Sequence, residues 1–271
     1  MLPPLVVLDT ESATTRGAPH LLELGAVRVE DGEVTARFET LVRPLVAIEA
    51  EATGVHGIDE AAVRDAPLAP EALADFGDWL CELPLAAHAA ARDAGVLAFE
   101  CARHGVRPPG APILDTLALA RRCIPEAPDH RLDTLIAHLD LEESGRHRAL
   151  ADAVYAWKVL EECAERLRRS SGAARVGWAE LVARAGGALS FAGAAPLPPR
   201  MSPRLRPLEA AIREEAEVQI LYGAGPEPPV ALPVRPRFLY QRQRKGYLEG
   251  ECSQSGLWKT YRLERVHKVL R

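Results

Sequence analysis

The sequence predicts an α/β domain with a mixed sheet, followed by a small and mostly β module. Two patterns support this fold class. In residues 1–170, short apolar runs alternate with segments of helical periodicity, an order that is typical of α/β domains. Residues 186–207 are then rich in Gly, Ala and Pro, and the segments that follow are short and β-like.

The first domain begins with three strands. Residues 5–8 are a continuous apolar run, which indicates a buried strand. Residues 21–29 and 34–42 flank Asp31-Gly32, a dipeptide that favours a hairpin turn. The apolar spacing beyond them predicts strands at 85–87 and 112–114, and helices at 70–80, 93–104, 132–139 and 149–168, with one more helix ending at residue 122.

A linker and a second module complete the predicted organisation. Ser170-Ser171-Gly172 indicates a loop, residues 176–185 have the spacing of one more helix, and the Pro-rich stretch up to residue 207 is interpreted as a linker. Beyond it we expect a helix at 208–215 and strands at 218–222, 230–239, 246–252 and 257–263. The predicted parts are a domain at 1–170, a helix and linker at 171–206, and a basic β module at 207–271.

The composition is that of a folded globular protein, with 48% hydrophobic and 26% charged residues in a chain of 271. The five cysteines are far apart and form no Cys-x-x-Cys pair, so we expect no disulfide framework and a reducing, cytoplasmic environment. The N-terminus lacks the basic region of a signal peptide, and no apolar stretch is long enough to cross a bilayer. A membrane partner is therefore not expected.

Charge is unevenly distributed along the chain, whose formal net charge is −5. Residues 200–271 hold 14 Lys and Arg against 8 Glu, so this part carries a net +6 and the part before it −11. A basic module beside an acidic domain indicates an anionic partner for the module. An ordinary solvated surface is the alternative interpretation of the same charges.

The most informative residues are acidic. Asp9 and Glu11 follow directly on the apolar run 5–8, and alternate residues of a strand point to the same face. Two carboxylates on one face repel each other unless a positive charge lies between them. A divalent ion such as Mg²⁺, which prefers oxygen ligands, would supply that charge.

Two further motifs are weak on their own. Asp93 is expected in the first turn of a helix, where the helix dipole alone favours an acid. His147 and Asp152 are five residues apart, which on one regular helix would separate them by about 140°. Both can face one site only if His147 lies in the loop before the helix.

Taken together, these motifs resemble the DnaQ-like 3′–5′ exonucleases of the DEDDh type over residues 4–168. The ordered pattern is Asp9-x-Glu11, then Asp93, then His147-x4-Asp152. Further landmarks are Leu41-Val42-Arg43-Pro44, residues 52–58, and Asp115-Thr116-Leu117 before Ala120-Arg121. The resemblance implies an RNase H-like mixed five-stranded sheet flanked by helices.

The resemblance also implies a role for each of the five residues. Asp9, Glu11, Asp93 and Asp152 would hold two divalent ions, Mg²⁺ or Mn²⁺, and His147 would act as the general base. Two ions activate a bound water and stabilise the leaving oxygen of a phosphodiester. A His with a pKa of about 6.5 accepts the proton of that water near neutral pH.

The implied reaction releases nucleoside 5′-monophosphates from a 3′ end. Single-stranded DNA is the favoured substrate and RNA the second candidate, because no residue decides whether a 2′-OH is recognised. A role in DNA repair, with a repair protein as partner, is a further implication of the resemblance.

The sequence departs from the family pattern at three positions. Ala89 stands where the family usually has Asn, Arg92 where it usually has Phe, and Ser12 where Thr is usual. None of the three is an expected metal ligand, so the departures concern affinity and substrate choice. The candidates for substrate binding are Thr10, Ser12, His56 and Arg92. Arg92 either reaches a phosphate or lies in solvent.

Four short motifs characterise the second module: Ile220-Leu221-Tyr222, residues 232–239, Gly246-Tyr247-Leu248 and residues 260–266. Their order resembles a WYL domain, a small β module of Sm- or SH3-like topology, with Gly246 in place of the usual Trp. The resemblance implies binding of nucleic acid or a nucleotide-like ligand. The candidate contacts are Arg235, Tyr247, Arg262 and Arg265, because Arg suits phosphate and aromatic rings stack on bases. A core role for Tyr247 and a solvated arginine face are the alternative.

The sequence therefore predicts a metal-dependent 3′–5′ exonuclease with a C-terminal ligand-binding module. The alternative is a regulatory or nucleic-acid-binding protein that keeps the nuclease fold but turns over little. Ala89 and Arg92 favour this alternative slightly, whereas the set of four acids and one His argues against it. The pattern predicts neither the preferred metal nor the oligomeric state.

Overall fold

The structure is a computed structural model that describes residues 2–141, 147–224 and 228–270. The chain divides into two compact units, Met1–Ala195 and Pro196–Arg271, and each unit has its own sheet and its own apolar core. None of the described helices is both long enough and apolar enough to cross a bilayer.

The first unit contains a mixed five-stranded sheet in the order β3-β2-β1-β4-β5. Strands β1, β2 and β3 pair antiparallel, and β4 and β5 continue the sheet in parallel with β1. This arrangement confirms the expected RNase H-like sheet. The strands are β1 (Leu5–Ser12), β2 (Leu21–Glu30), β3 (Glu33–Leu41), β4 (Leu85–Ala87) and β5 (Ile113–Asp115).

Helices cover the sheet on both faces. The predicted helices are present, and a short helix at α1 was not expected from the sequence. The helices of this unit are α1 (Ala50–His56), α2 (Ala69–Leu80), α3 (Ala91–His104), α4 (Thr116–Cys123), α5 (Leu132–His138), α6 (Ala149–Ser171), α7 (Trp178–Ala185) and α8 (Phe191–Ala194).

The alternation of side chains in β1 sorts the core into two layers. Leu5 and Val7 pack with Trp157 and Leu160 of α6, whereas Val6 and Leu8 pack with residues of α2 and α3. The strand is buried on both faces, which explains why its sequence is a continuous apolar run. Its last residues therefore project to two different sides: one toward α6, the other toward α3.

The segment 171–206 was predicted as a helix and a linker, and the structure corrects the second part. Leu181 of α7 and Phe191 of α8 are buried in the first unit, and Ile113 and Leu189 exchange backbone hydrogen bonds of 3.0 and 2.9 Å. The Gly- and Ala-rich composition around Phe191 hid this apolar anchor, whereas Leu181 lies in the helix that was predicted at 176–185. Residues 171–195 therefore belong to the first unit, and only the Pro-rich residues after Ala195 begin the second.

The second unit is a five-stranded antiparallel sheet in the order β10-β6-β7-β8-β9, preceded by one helix. Its core contains Leu208, Ile220, Val234, Leu248 and Val266. The last strand, β10, was not expected from the sequence. The elements are α9 (Arg206–Arg213), β6 (Val218–Tyr222), β7 (Val230–Arg242), β8 (Lys245–Cys252), β9 (Leu257–Arg262) and β10 (Val266–Leu270), with 3₁₀ turns at Pro203–Leu205 and Leu263–Arg265.

Candidate active site

Three of the predicted acidic residues converge where β1 meets α6. Asp9 and Glu11 share the strand face of Leu5 and Val7, on which α6 packs, and Asp152 lies in the first turn of α6. Each of the three offers one carboxylate oxygen, and these oxygens all lie within 4.8 Å of one another. Residues far apart in sequence are thus brought together by strand alternation and by one helix.

Asp93 approaches from the other side of β1. It lies in the first turn of α3, is buried, and accepts hydrogen bonds at Oδ1 from the Thr10 N–H (2.9 Å) and the Thr10 hydroxyl (2.8 Å). Thr10 alternates with Asp9 and Glu11, so it faces α3 rather than α6. The structure therefore places Asp93 beside the three-carboxylate group but outside it, and its role as a ligand stays a prediction.

Burial and mutual repulsion raise the pKa values of these acids. The pKa of Glu11 is raised to about 7, mainly because burial penalises its charge, and the nearby Arg92 opposes this effect. Burial raises the pKa of Asp93 to about 6 against the effect of the Thr10 hydrogen bond. The pKa of Asp9 lies well above its usual range, because of burial and then the charges of Asp93 and Glu11.

This donor set suits a hard divalent cation. Three carboxylate oxygens in close approach repel one another when ionised, and a cation between them would offset this repulsion. Oxygen-only ligands favour Mg²⁺, Mn²⁺ or Ca²⁺ over softer metals. Asp9, Glu11 and Asp152 are thus the residues that would hold such an ion.

Glu23 on β2 fixes the start of α6, and the sequence analysis did not single it out. Its carboxylate is fully buried and accepts hydrogen bonds from Arg148 Nε (2.9 Å), from Arg148 Nη2 (2.5 Å) and from the Ala149 N–H (2.9 Å). The last bond satisfies one of the free N–H groups at the helix N-terminus. An acid inside the apolar run Leu21-Leu22-Glu23-Leu24 was the available signal.

Gly25 lets α6 approach the sheet, and it too was missed. A Cβ built on Gly25 would lie 2.1 Å from the Leu150 backbone N and 2.2 Å from the Ala149 backbone C. Gly25 pairs with Asp9 across the β1–β2 ladder. Any larger residue would push the first turn of α6, and Asp152 with it, away from Asp9. A glycine inside a strand was the signal for this close approach.

His147 lies before the first residue of α6, in the loop position that its spacing from Asp152 requires. Its backbone has a positive φ of 58°, which is uncommon for a residue other than Gly. Residues 142–146, which precede it, lie outside the described part of the chain. Its role as general base stays a prediction.

The substrate-binding candidates differ in exposure. Thr10 is engaged with Asp93, the Ser12 hydroxyl donates to the His20 carbonyl (3.1 Å), and the His56 Nδ1 accepts from the Ile58 N–H (3.0 Å). Arg92 is different: its side chain is 64% exposed, yet Nη2 lies 3.7 Å from Glu11 Oε2. It thus faces solvent beside the carboxylates, and its contact with a phosphate stays a prediction.

The loop between β4 and α3, which precedes Asp93, is held by hydrogen bonds to the end of β5, the start of α4 and the segment after α4. His88 hydrogen-bonds with the Thr116 hydroxyl (3.0 Å) and the His130 carbonyl (2.8 Å), and the Ala89 N–H donates to Asp115 Oδ1 (3.1 Å). Ala89 has a φ of +62°, a conformation that Asn tolerates better than Ala. Having Ala instead of Asn at position 89 therefore introduces backbone strain and also removes a polar side chain.

The four ligand candidates of the second unit are partly grouped. Tyr247 and Arg262 are direct partners in the β8–β9 ladder, and the Tyr247 ring stacks on Tyr240 at 5.2 Å. Arg235 pairs with Glu251, four residues further along β8, and Arg265 lies in the 3₁₀ turn before β10. Their role in ligand binding stays a prediction.

Comparison with known proteins agrees with this geometry. The family model described as Exonuclease matches residues 6–160, and the WYL domain model matches residues 203–270. The DNA polymerase III PolC-type of Oceanobacillus iheyensis is 36% identical over 166 residues, which are 59% of this chain and 12% of the polymerase. The chain thus spans a small share of the polymerases that it matches.

Solved nuclease structures have the same fold. Exonuclease X, in complex with 5′ overhanging duplex DNA, is 25% identical with a TM-score of 0.52, covering 69% of this chain and 100% of that one. The nuclease domain of 3′hExo, a DEDDh family member bound to rAMP, is 17% identical with a TM-score of 0.53, covering 64% of this chain and 94% of its own. Because the family match covers more than half of its residues, the chain belongs to the Exonuclease family, with a WYL domain in its second unit.

Proposed function

We propose that this protein is a metal-dependent 3′–5′ exonuclease that hydrolyses phosphodiester bonds of single-stranded DNA and releases nucleoside 5′-monophosphates. The convergence of Asp9, Glu11 and Asp152, with oxygens within 4.8 Å of one another, is the observation that carries the proposal. Glu11 is buried and Asp9 and Asp152 are half-buried, and mutually repelling acids brought together in this way are typical of functional sites. RNA is the second candidate substrate.

The acidic residues and His147 would have different roles in the reaction. Asp9, Glu11 and Asp152 would hold two divalent ions, Mg²⁺ or Mn²⁺, with Asp93 as the fourth ligand. Such ions supply a nucleophilic water at neutral pH and charge stabilisation for the leaving oxygen. His147 accepts the proton of the attacking water, and its place in the loop before α6 suits entry of substrate and exit of product.

DNA is preferred to RNA in this proposal because Exonuclease X, at 25% identity, was solved with a DNA duplex carrying a 5′ overhang, which presents a recessed 3′ end. The PolC-type relatives are DNA polymerases. We propose a role in DNA repair for this protein on the same ground, namely that these relatives act on or were solved with DNA. The shared portion is 12% of the polymerase, so no polymerase activity is included.

The second unit is proposed to bind nucleic acid or a nucleotide-like ligand. Residues 200–271 carry a net +6, which attracts a polyanion, and tethering would raise the concentration of strands near the nuclease site. Phosphate contacts make such binding salt-dependent. Arg262→Ala combined with Arg265→Ala should reduce the salt dependence of strand binding by the full chain, whereas Arg213→Ala, at an exposed position in the last turn of α9, should not.

Hydrolysis and its direction are tested with one oligonucleotide labelled at either end. With Mn²⁺ or Mg²⁺, a 3′ label should leave at once as a mononucleotide, while a 5′ label should give a ladder of shortening strands. Asp9→Asn, which keeps the size of the side chain, should abolish both. Absence of release by the parent protein, or equal release by the variant, would support the binding-protein alternative. Parallel DNA and RNA strands decide the substrate.

A further inference from the structure

The second unit contains a pocket of about 700 Å³, and its lining includes none of the four residues predicted to bind a ligand. Four cationic side chains surround it, and Leu205 and Leu263, both almost fully buried, contribute apolar lining. The lining cations are Arg200, Arg204, Arg244 and Lys245. We call this cavity the basic pocket. Its volume lies within the range of small-molecule sites, which is about 300–1,000 Å³.

The charge of the basic pocket is strongly positive. Glu264 is the acidic residue in the lining, and its carboxylate lies 3.3 Å from Arg262 Nη1, so its charge is already matched from outside the pocket. The four cations are all exposed. A pocket with converging cations and an apolar lining suits an anion that also has an apolar body.

A buried hydroxyl adds an independent sign of a missing ligand. Ser202 lines the basic pocket, and its Oγ is buried with no hydrogen-bond partner in the described part of the chain. Buried hydroxyls normally find a partner, because leaving one unpaired costs free energy. Because Oγ is closed off from solvent, the Ser202 side chain would turn toward the pocket to donate this hydrogen bond to a ligand oxygen.

The pocket depends on residues that precede the WYL match. The Leu197 carbonyl accepts a 2.7 Å hydrogen bond from the Gln241 N–H, which ties the Pro-rich segment to β7. A Cβ on Gly246 would lie 3.2 Å from Pro199 Cβ and 2.9 Å from Leu263, so the missing Trp side chain leaves the room that this segment uses. Arg200 and Ser202 lie before residue 203, where the WYL match begins.

The hairpin turn between β7 and β8 places Arg244 at the pocket at a conformational cost. Arg242 and Lys245 pair, so the turn consists of Gln243 and Arg244, and both have a positive φ, 48° and 64°. Such two-residue turns strongly favour Asn and Gly. A strained Arg at this position is explained if its side chain is needed in the pocket.

We propose that the basic pocket binds the phosphate monoester of a nucleotide, with the cations on the phosphate and the Leu205–Leu263 side against the nucleoside. The inference rests on the ligand binding proposed for this unit and names its site. The phosphate comes from a free mononucleotide, such as the product of the proposed hydrolysis, or from the 5′ end of a phosphorylated strand.

The test uses the full chain with Asp9→Asn, in EDTA, so that no strand is hydrolysed. Binding of dAMP, of inorganic phosphate and of oligo-dT with and without a 5′ phosphate is measured by calorimetry. We expect dAMP to bind more tightly than inorganic phosphate. Tighter binding of the 5′-phosphorylated strand than of dAMP identifies the strand end as the source, and comparable binding identifies the free nucleotide; both support the pocket.

Variants of the turn separate binding from folding. Arg244→Gly removes a cation and suits the positive φ, so affinity for dAMP should fall about tenfold while the melting temperature stays equal or rises. Gln243→Gly is the matched control, with the same backbone relief and affinity within about twofold of the parent. Ser202→Ala should also weaken binding.

Two results would overturn the proposal: no binding of dAMP or of the phosphorylated strand, or binding that Arg244→Gly leaves unchanged while Arg262→Ala abolishes it. The second result would place the ligand at the Tyr247–Arg262 pair instead. A failure of the exonuclease proposal is seen separately, in the end-labelled assay with native Asp9. There Gln243→Gly, which lies outside the pocket lining, should hydrolyse strands at the parent rate.

Discussion

Replacing Gly25 with Ala should lower the activity of the nuclease site, although it changes none of the metal-ligand candidates Asp9, Glu11 and Asp152. The new methyl would lie 2.1 Å from the Leu150 backbone N, and ordinary contact begins near 3.4 Å. The backbones of β2 and of the first turn of α6 must therefore separate by about 1.3 Å, because the atoms that the methyl meets are backbone atoms and not the flexible end of a side chain. Asp152 lies in that turn and moves with it.

The consequences are measurable as separate quantities. A displacement of about 1 Å at a reacting centre costs about 10²-fold in rate, so kcat/KM should fall by about two orders of magnitude. Overpacking should cost about 1–3 kcal/mol of stability. Mn²⁺ should raise the melting temperature of the parent protein, and this rise should be lost in the variant, because three carboxylates no longer meet.

Gly77→Ala is the matched control, since a Cβ on this exposed residue of α2 meets nothing within 4 Å. Its stability should rise by up to about 1 kcal/mol and its activity should not change. Full activity together with the full Mn²⁺-dependent rise in melting temperature in Gly25→Ala would refute the argument that close approach of α6 sets the geometry of the site.

Three further predictions concern neighbouring residues. Glu23→Gln keeps the shape of the side chain but removes the charge that Arg148 faces. Because Arg148 is 43% exposed, we expect the free energy of unfolding to fall by only about 1–2 kcal/mol. We also expect kcat to fall with little change in KM, and a change in KM alone would contradict the positioning role of Glu23. Because the pKa of Glu11 is raised to about 7, its proton must leave before a metal ion binds, and affinity for Mn²⁺ should therefore increase from pH 6 to pH 8. The released proton can be measured by calorimetry in buffers of different ionisation enthalpy. An affinity that does not change with pH would contradict this prediction. Ala89→Gly should stabilise the protein by about 1 kcal/mol against denaturant because the φ of +62° is relieved, and a loss of stability would show that the Ala89 methyl is needed.

The same raised pKa values give the metal-free protein a defined pH dependence. An acid whose pKa is raised on folding binds more protons in the folded state, so its contribution to stability is present at low pH and is lost as pH rises. For Glu11 this window extends from about 4.5 to about 7. Above it the folded state holds the repelling charges, and binding of a cation should stabilise the protein most.

Strand alternation made the acidic pair predictable, because Asp9 and Glu11 follow an unbroken apolar run and must share a face. The place of His147 before α6 followed from the same kind of argument, since five residues on one helix cannot face one point. The convergence of Asp152 with the pair needed the resemblance, because nothing local in the sequence fixes which side of the sheet receives α6.

Other features depend on tertiary contacts that no local pattern carries. Glu23 looks like an interruption of a strand until its partners at the start of α6 are known. Residues 186–195 have the composition of a linker, yet Phe191 buries its ring in the core of the first unit. The missed strand β10 has a weak pattern because only Val266 and Val269 face the core.

The position of Asp152 is determined by contacts of the first turn and of the middle of α6. The middle of the helix is fixed by Trp157, Leu160 and Cys163 in the core, and the first turn by Glu23 through the Ala149 N–H. The backbone of this turn therefore holds Asp152 beside Asp9 and Glu11. Burial, and after it the mutual repulsion, raises the pKa values of Asp9 and Glu11, and folding thus prepares the arrangement of charges that a divalent ion would neutralise on binding.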